Sequence, residues 1–234
     1  MPTQRFKLPF IEDSQAQKHL VHNTALEMLD GLMPAIAVSA TTTTAPGSPV
    51  DGEVYIVPTG GTFGSVSVDA IAIWYGGEWV EVPCAYAHRV LVLDEGRYRI
   101  FAGAKGWLNG MVIGQFDATL GLRTLDFSAT LTSGTQHSFS AAIPARAIVL
   151  GVTTWIDTTI AGPANIKTGL SGELEKFGGW IGPSAGSSNI GVVGPYATYS
   201  TSDVLVTAQD DVTAFTAGEV RISVQIIEPG AAPI

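Results

Sequence analysis

Apolar and polar residues alternate with a period of two through much of the second half of the chain. The run EVRISVQIIEP sets Val220, Ile222, Val224 and Ile226 on one face and Arg221, Ser223 and Gln225 on the other. That is the pattern of a half-buried strand. LDFSATLTS from Leu125, HSFSAAI from His137, AIVLGVTTWIDTTI from Ala147 and DVLVTAQ from Asp203 are further strand candidates, separated by turn residues. Short strands at this spacing predict a β-sandwich or jelly roll.

The first half reads differently. Residues 1–13 are extended, because Pro9 biases Leu8 away from helix, and Arg5–Ile11 has the character of an arm. Residues 14–31 predict the one helix. Ser14 is a capping residue with Gln17 at the capping-box position, and Val21, Ala25, Met28, Leu29 and Leu32 form an apolar stripe. IAVSA is a short strand candidate, followed by the connector TTTTAPGSP. GEVYIVP predicts a strand. AIAIWYGGEWVEVP predicts a hairpin turning at Gly76-Gly77, and HRVLVLDEGRYRIFAG a second one turning at Asp94-Glu95-Gly96. Trp74, Trp79, Tyr98, Phe101 and Trp107 are expected to pack as the core of this small module. The pattern weakens over 109–121. The expected organisation is therefore mainly β: an N-terminal helix with a small β-hairpin module over 1–115, then a jelly-roll-like β-sandwich over 116–234.

Composition narrows the function classes. The chain of 234 residues is 46% hydrophobic and 14% charged, enough to build cores rather than remain disordered. Its formal net charge is −9 with 12 Lys and Arg residues. Such a chain has no electrostatic footprint for nucleic acid and no basic run for an anionic membrane. Cys84 is the single cysteine, which excludes an intramolecular disulfide and a cysteine-based zinc cluster. No signal-peptide pattern opens the chain and no apolar run reaches membrane-spanning length. Cytoplasmic synthesis without membrane insertion is expected, with later exposure on a released particle.

The stretch FGGWIGPSAGSSNIGVVGPYATYSTS, Phe177–Ser202, is uncharged and rich in glycine. It is too glycine-rich for a helix and too punctuated for one long strand. It is expected to be a recognition loop. Sugars present apolar C–H faces ringed by hydroxyls, and aromatics with hydrogen-bonding groups on a rigid scaffold suit them. Trp180, Tyr196 and Tyr199 supply rings, and Asn189, Ser188 and Lys176 supply polar contacts; packing of the rings beneath the loop is the alternative.

A catalytic reading has less to stand on. Glu173 and Glu175, spaced for one face of a strand, resemble the carboxylate pair of a glycosidase only in type, and no nucleophile or base signature accompanies them. Asp157 is a third carboxylate of that kind. No enzyme activity, cofactor or metal is expected. Asp210-Asp211 reads as a plain turn rather than a calcium loop, and His19 and His22 on the helix have no third ligand and read as a solvated or subunit-contacting face.

Longer motifs carry a resemblance. Leu8-Pro9-Phe10-Ile11, Gln15-Ala16-Gln17-Lys18-His19 and His22-Asn23-Thr24-Ala25-Leu26 resemble the opening of a small domain of phage tail-fibre proteins and of head-spike proteins of gene transfer agents. SPVDGEVYIVP and IAIWYGGEWVEVP fit the same domain, so the resemblance spans roughly residues 5–108. GELEKFGGWIG, GSSNIGVVGPYATYSTSDVLVTA and FTAGEVRISVQI resemble the jelly-roll receptor-binding domain often appended to it. The stretch TTWIDTTIAGPANIK departs from relatives that carry a basic or other charged residue after the long strand. The resemblance implies a head-spike or fibre protein on the surface of a virion or gene transfer agent particle. Its N-terminal part would dock on another spike or capsid protein through Phe10, Gln17, His19, His22, Leu26 and Leu29. Its C-terminal part would bind host capsular polysaccharide and promote adsorption. Together with the helix stripe, the resemblance implies a homotrimer. Two alternatives stay open: a structural spike adaptor that binds no glycan, and a tail fibre with polysaccharide depolymerase activity.

Overall fold

The computed structural model describes Ile11, Ser14, residues 16–32 and residues 36–230. The chain is mainly β and divides into two compact units, residues 1–121 with 230–234, and residues 122–229. Phe10 and most of the expected N-terminal arm lie outside the described residues.

The first unit carries helix α1, Lys18–Leu32. It starts later than the capping pattern predicted. Ser14 and Gln17 both have positive φ, 59° and 55°, left-handed backbone that cannot belong to a right-handed first turn. The helix therefore opens after Gln17, whose carbonyl accepts from the Leu20 N–H at 3.0 Å. Of the expected stripe, Met28 is buried in the unit's core, Val21 and Ala25 are half-buried and Leu29 is exposed. His19, His22 and Leu26 face solvent, as does Gln17 before the helix.

Both predicted hairpins are present. β1 is Ile36–Ala37 and β2 is Val54–Ile56. β3, Ile71–Tyr75, turns through Gly76-Gly77 into β4, Glu78–Val82. Both glycines have positive φ, 57° and 91°, as a two-residue turn matched to strand twist requires. β5, Arg89–Val92, pairs with β6, Arg97–Phe101; β1 joins β5 in parallel, and β7, Trp107–Asn109, joins β6. β8 is Val112–Ile113. Val54, Ile56, Ile71, Ile73, Val82, Val90 and Val92 make the main core. Tyr55, Phe63 and Val66 form a second cluster, with the Trp79 ring packed edge-on at 5.0 Å from Phe63. Trp107 is buried, Phe101 packs against the main core, and Trp74 and Tyr98 remain half-buried.

The second unit is built from β9 (Thr119–Thr130), β10 (Gln136–Ile143), β11 (Ile148–Ala161), β12 (Ile166–Leu170), β13 (Glu173–Ile181), β14 (Ser188–Ala197), β15 (Ser202–Ala208) and β16 (Ala217–Gly230). One sheet runs β9-β16-β11-β14 and the other β10-β15-β12-β13. First pairs with last, second with seventh, third with sixth and fourth with fifth. That nesting of eight strands, four to each layer, is the jelly-roll wrap. Val220, Ile222, Val224 and Ile226 all face inward, meeting Phe177, Val204, Val206 and Phe215 in one apolar core. Between the sheets, the buried hydroxyls of Thr154 and Thr168 satisfy each other at 2.9 Å, as buried polar groups must.

One expectation about this unit is overturned. Residues 177–202 are not a single loop: Phe177–Ile181 closes β13 and Ser188–Ala197 is β14. The glycines that argued against a strand are what let these two strands cross. A Cβ on Gly191 would lie 2.0 Å from the Phe177 carbonyl oxygen and 2.6 Å from that of Val152, distances that only a glycine leaves free.

Candidate carbohydrate-binding cleft

Trp180 sits near the end of β13 with 71% of its surface exposed. Its φ is +57°, an unfavourable backbone for a bulky side chain. Its backbone N–H donates to Gln209 Oε1 at 2.7 Å, and the Gln209 amide donates in turn to Glu175 Oε1. The indole borders a shallow cleft of about 150 Å³ lined by Ala164, Asn165, Gln209 and Asp210.

The turn beneath the cleft is firmly held. Lys167, on β12, is buried, and its Nζ donates to the Gln209 carbonyl at 3.2 Å and to Asp211 Oδ2 at 2.8 Å. Asp210 Oδ1 accepts the backbone N–H groups of Val212 and Thr213 at 3.1 and 2.9 Å. Hydrogen bonds from the Thr213 hydroxyl and backbone, with the Val212 N–H, lower the Asp210 carboxyl to a pKa of about 2. The Asp210-Asp211 pair is thus a turn closed on itself. Among the described residues no cluster of three or more His, Cys, Asp or Glu side chains is arranged to hold a metal.

The other nominated residues fall in different places, and none of them lines the Trp180 cleft. Lys176 and Tyr196 meet each other, with Nζ 4.8 Å from the ring centroid, a cation–π distance. Lys176 also pairs with Glu173. Burial, and then the charge of Glu173, raises the Tyr196 phenol above its ordinary value. Tyr199, 91% exposed, projects from the connection between β14 and β15. Asn189 donates to the Phe177 carbonyl at 2.6 Å and so braces the strand crossing. Ser188 lies opposite Trp155 across the β11–β14 ladder. Glu173 and Glu175 are engaged by Lys176 and Gln209, and Asp157 pairs with Arg221 at 2.5 Å.

Sequence reasoning missed Asn165, Gln209 and Asp210 as neighbours of Trp180. Gln209 stands 29 residues away in the chain, and only the β12–β15 pairing brings Asn165 and Gln209 together, through a backbone bond of 3.0 Å.

Residues 22–108, within the first unit, match the model of a family described as "Protein of unknown function (DUF2793)". No curated protein matches the chain. Among solved structures, one match is "Cyanophage Pam1 capsid asymmetric unit", at 20% identity and a TM-score of 0.32. It covers 48% of this chain and 86% of that one. No helix among the described residues is long and apolar enough to cross a membrane.

Proposed function

We propose that this protein is a surface component of a phage or gene transfer agent particle whose jelly roll binds host cell-surface polysaccharide without cleaving it. The observation that carries the reading is Trp180: a large apolar ring, exposed, in strained backbone, beside hydrogen-bonding side chains on a braced turn. Backbone strain of this kind is retained where the surrounding structure over-determines it, and such positions cluster at ligand sites. An indole face beside Asn165, Gln209 and Asp210 suits a sugar ring, which needs one flat apolar partner and several polar ones at its rim. The bonds from Lys167 and within the Asp210 turn fix those groups before a ligand arrives, which lowers the ordering cost of binding. Particle association rests on the resemblance of the motifs between Leu8 and Leu26 to spike and fibre proteins, and the N-terminal unit would supply the docking surface.

The test is adsorption of the full chain to capsulated and acapsular cells of one host strain, with Trp180→Ala beside wild type. Capsule-dependent binding that falls about tenfold or more in a variant with unchanged circular dichroism is the expected result, the scale for truncating an aromatic anchor. Equal binding to both cell types would sink the proposal. Shortening of the polymer on incubation would replace it with a depolymerase.

A further inference from the structure

The outward face of the β9-β16-β11-β14 sheet holds a second aromatic site. Trp155, on β11, is 42% exposed on that face and lies opposite Arg221 on β16. One cleft of about 450 Å³ is bordered by Trp155, Thr153, Asp126, Arg221 and Ser223. A second, of about 500 Å³, continues past Arg221 to Asp157 and Glu219. The two share Arg221 and so form one strip across the strands.

We propose that this strip binds a segment of an uncharged polysaccharide, with the Trp155 indole as its stacking platform. The proposal rests on reading the jelly roll as a glycan-binding domain, but it uses none of the residues around Trp180. Charge selects the occupant. Asp126, Asp157 and Glu219 face the strip, against Arg221 alone among its lining residues. An acidic glycan or a nucleic acid is repelled. A second copy of the chain docked by the same face would bring three carboxylates and one arginine against an identical patch, a surplus of like charge that a two-fold interface cannot relieve. A neutral sugar meets no such penalty. Its C–H face covers the indole, and its hydroxyls find donors and acceptors on a surface whose polar groups are already aligned. Ser223 donates to Asp126, Gln225 donates to Thr153 Oγ1 at 3.3 Å, and Arg221 holds Asp157.

The experiment is native affinity electrophoresis of the full chain in gels containing dextran, mannan or galactan, with alginate as the acidic polymer. We expect at least one neutral polymer to slow the wild type and alginate not to. Trp155→Ala should weaken retardation about tenfold, equivalent to about 1.4 kcal/mol, while Trp155→Phe keeps most of it. Circular dichroism checks that both variants are folded. Trp180→Ala, run in parallel, separates the two sites. Loss with Trp180→Ala but none with Trp155→Ala overturns this proposal and leaves the Trp180 cleft standing. The reverse pattern supports this strip and removes that cleft. No retardation by any neutral polymer overturns both. Faster migration of Trp155→Ala than wild type in polymer-free gels would make the face a contact between copies and overturn the polysaccharide assignment.

Discussion

At the scale of the residue, the cleft beside Trp180 has a measurable conformational cost. A tryptophan at φ +57° gives up of order 1 kcal/mol relative to a residue at ease there. With most of its surface exposed, its ring recovers little of that by packing. Trp180→Gly is therefore expected to stabilise the protein by up to about 0.5 kcal/mol, after allowing for the extra freedom glycine gives the unfolded chain, while abolishing capsule binding. Trp180→Ala keeps the strained backbone and should show no such gain. Urea midpoints at unchanged slope distinguish the two; a lower midpoint for Trp180→Gly would mean the indole is a packing residue. Cys84 is inert by comparison: burial foremost, with Asp69 and Glu81 adding to it against a backbone hydrogen bond at Ile71, pushes its thiol up to about 12.

At the scale of the element, the crossing of β13 and β14 depends on the absence of a side chain at one position. Gly191→Ala would press a methyl onto two backbone carbonyls, whereas a methyl on Gly194, in the same strand, would meet nothing within 4 Å. Gly191→Ala is expected to cost about 3 kcal/mol, the upper range for overpacking, and Gly194→Ala to lie within about 0.5 kcal/mol of wild type. Similar losses for both would mean that strand propensity, not the close approach, is what matters. The same glycines explain what could be read beforehand. β9, β10, β11, β15 and β16 were legible because Val220, Ile222, Val224 and Ile226, and their counterparts, mark the inner face at every second position. β13 and β14 were not, because Gly191 stands where backbone meets backbone and Gly178 where the Asn189 side chain closes on the strand. The helix start was misread for a related reason. Ser14 and Gln17 have the composition of a capping box, but composition does not reveal the sign of φ. Trp180 was recognisable as a candidate from its neighbourhood in the chain, and its ring is exposed. Its partners were not, since the contact with Gln209 exists only through long-range strand pairing.

At the scale of the whole molecule, the nested strand order ties together residues far apart in the chain. The Arg123–Glu228 ion pair, at 3.2 Å, joins residues 105 apart. β16 lies between β9 and β11 in its sheet and supplies Val220, Ile222, Val224 and Ile226 to the core. A chain ending at Thr216 would leave both neighbours with open edges and the core without one wall. It is expected to lose the second unit altogether, seen as protease sensitivity and loss of near-ultraviolet dichroism; a soluble, protease-resistant product would contradict this. The consequence reaches into synthesis. At about 5–20 residues per second, a ribosome needs roughly 5–20 s to cover the 105-residue separation between Arg123 and Glu228. Closing a local hairpin takes only about 1–10 μs. Through almost all of that wait β9 is finished and its partner β16 does not yet exist. The nascent jelly roll presents unpaired strand edges to every other ribosome's product nearby, so the yield of folded protein should rise when translation is fast or expression is dilute.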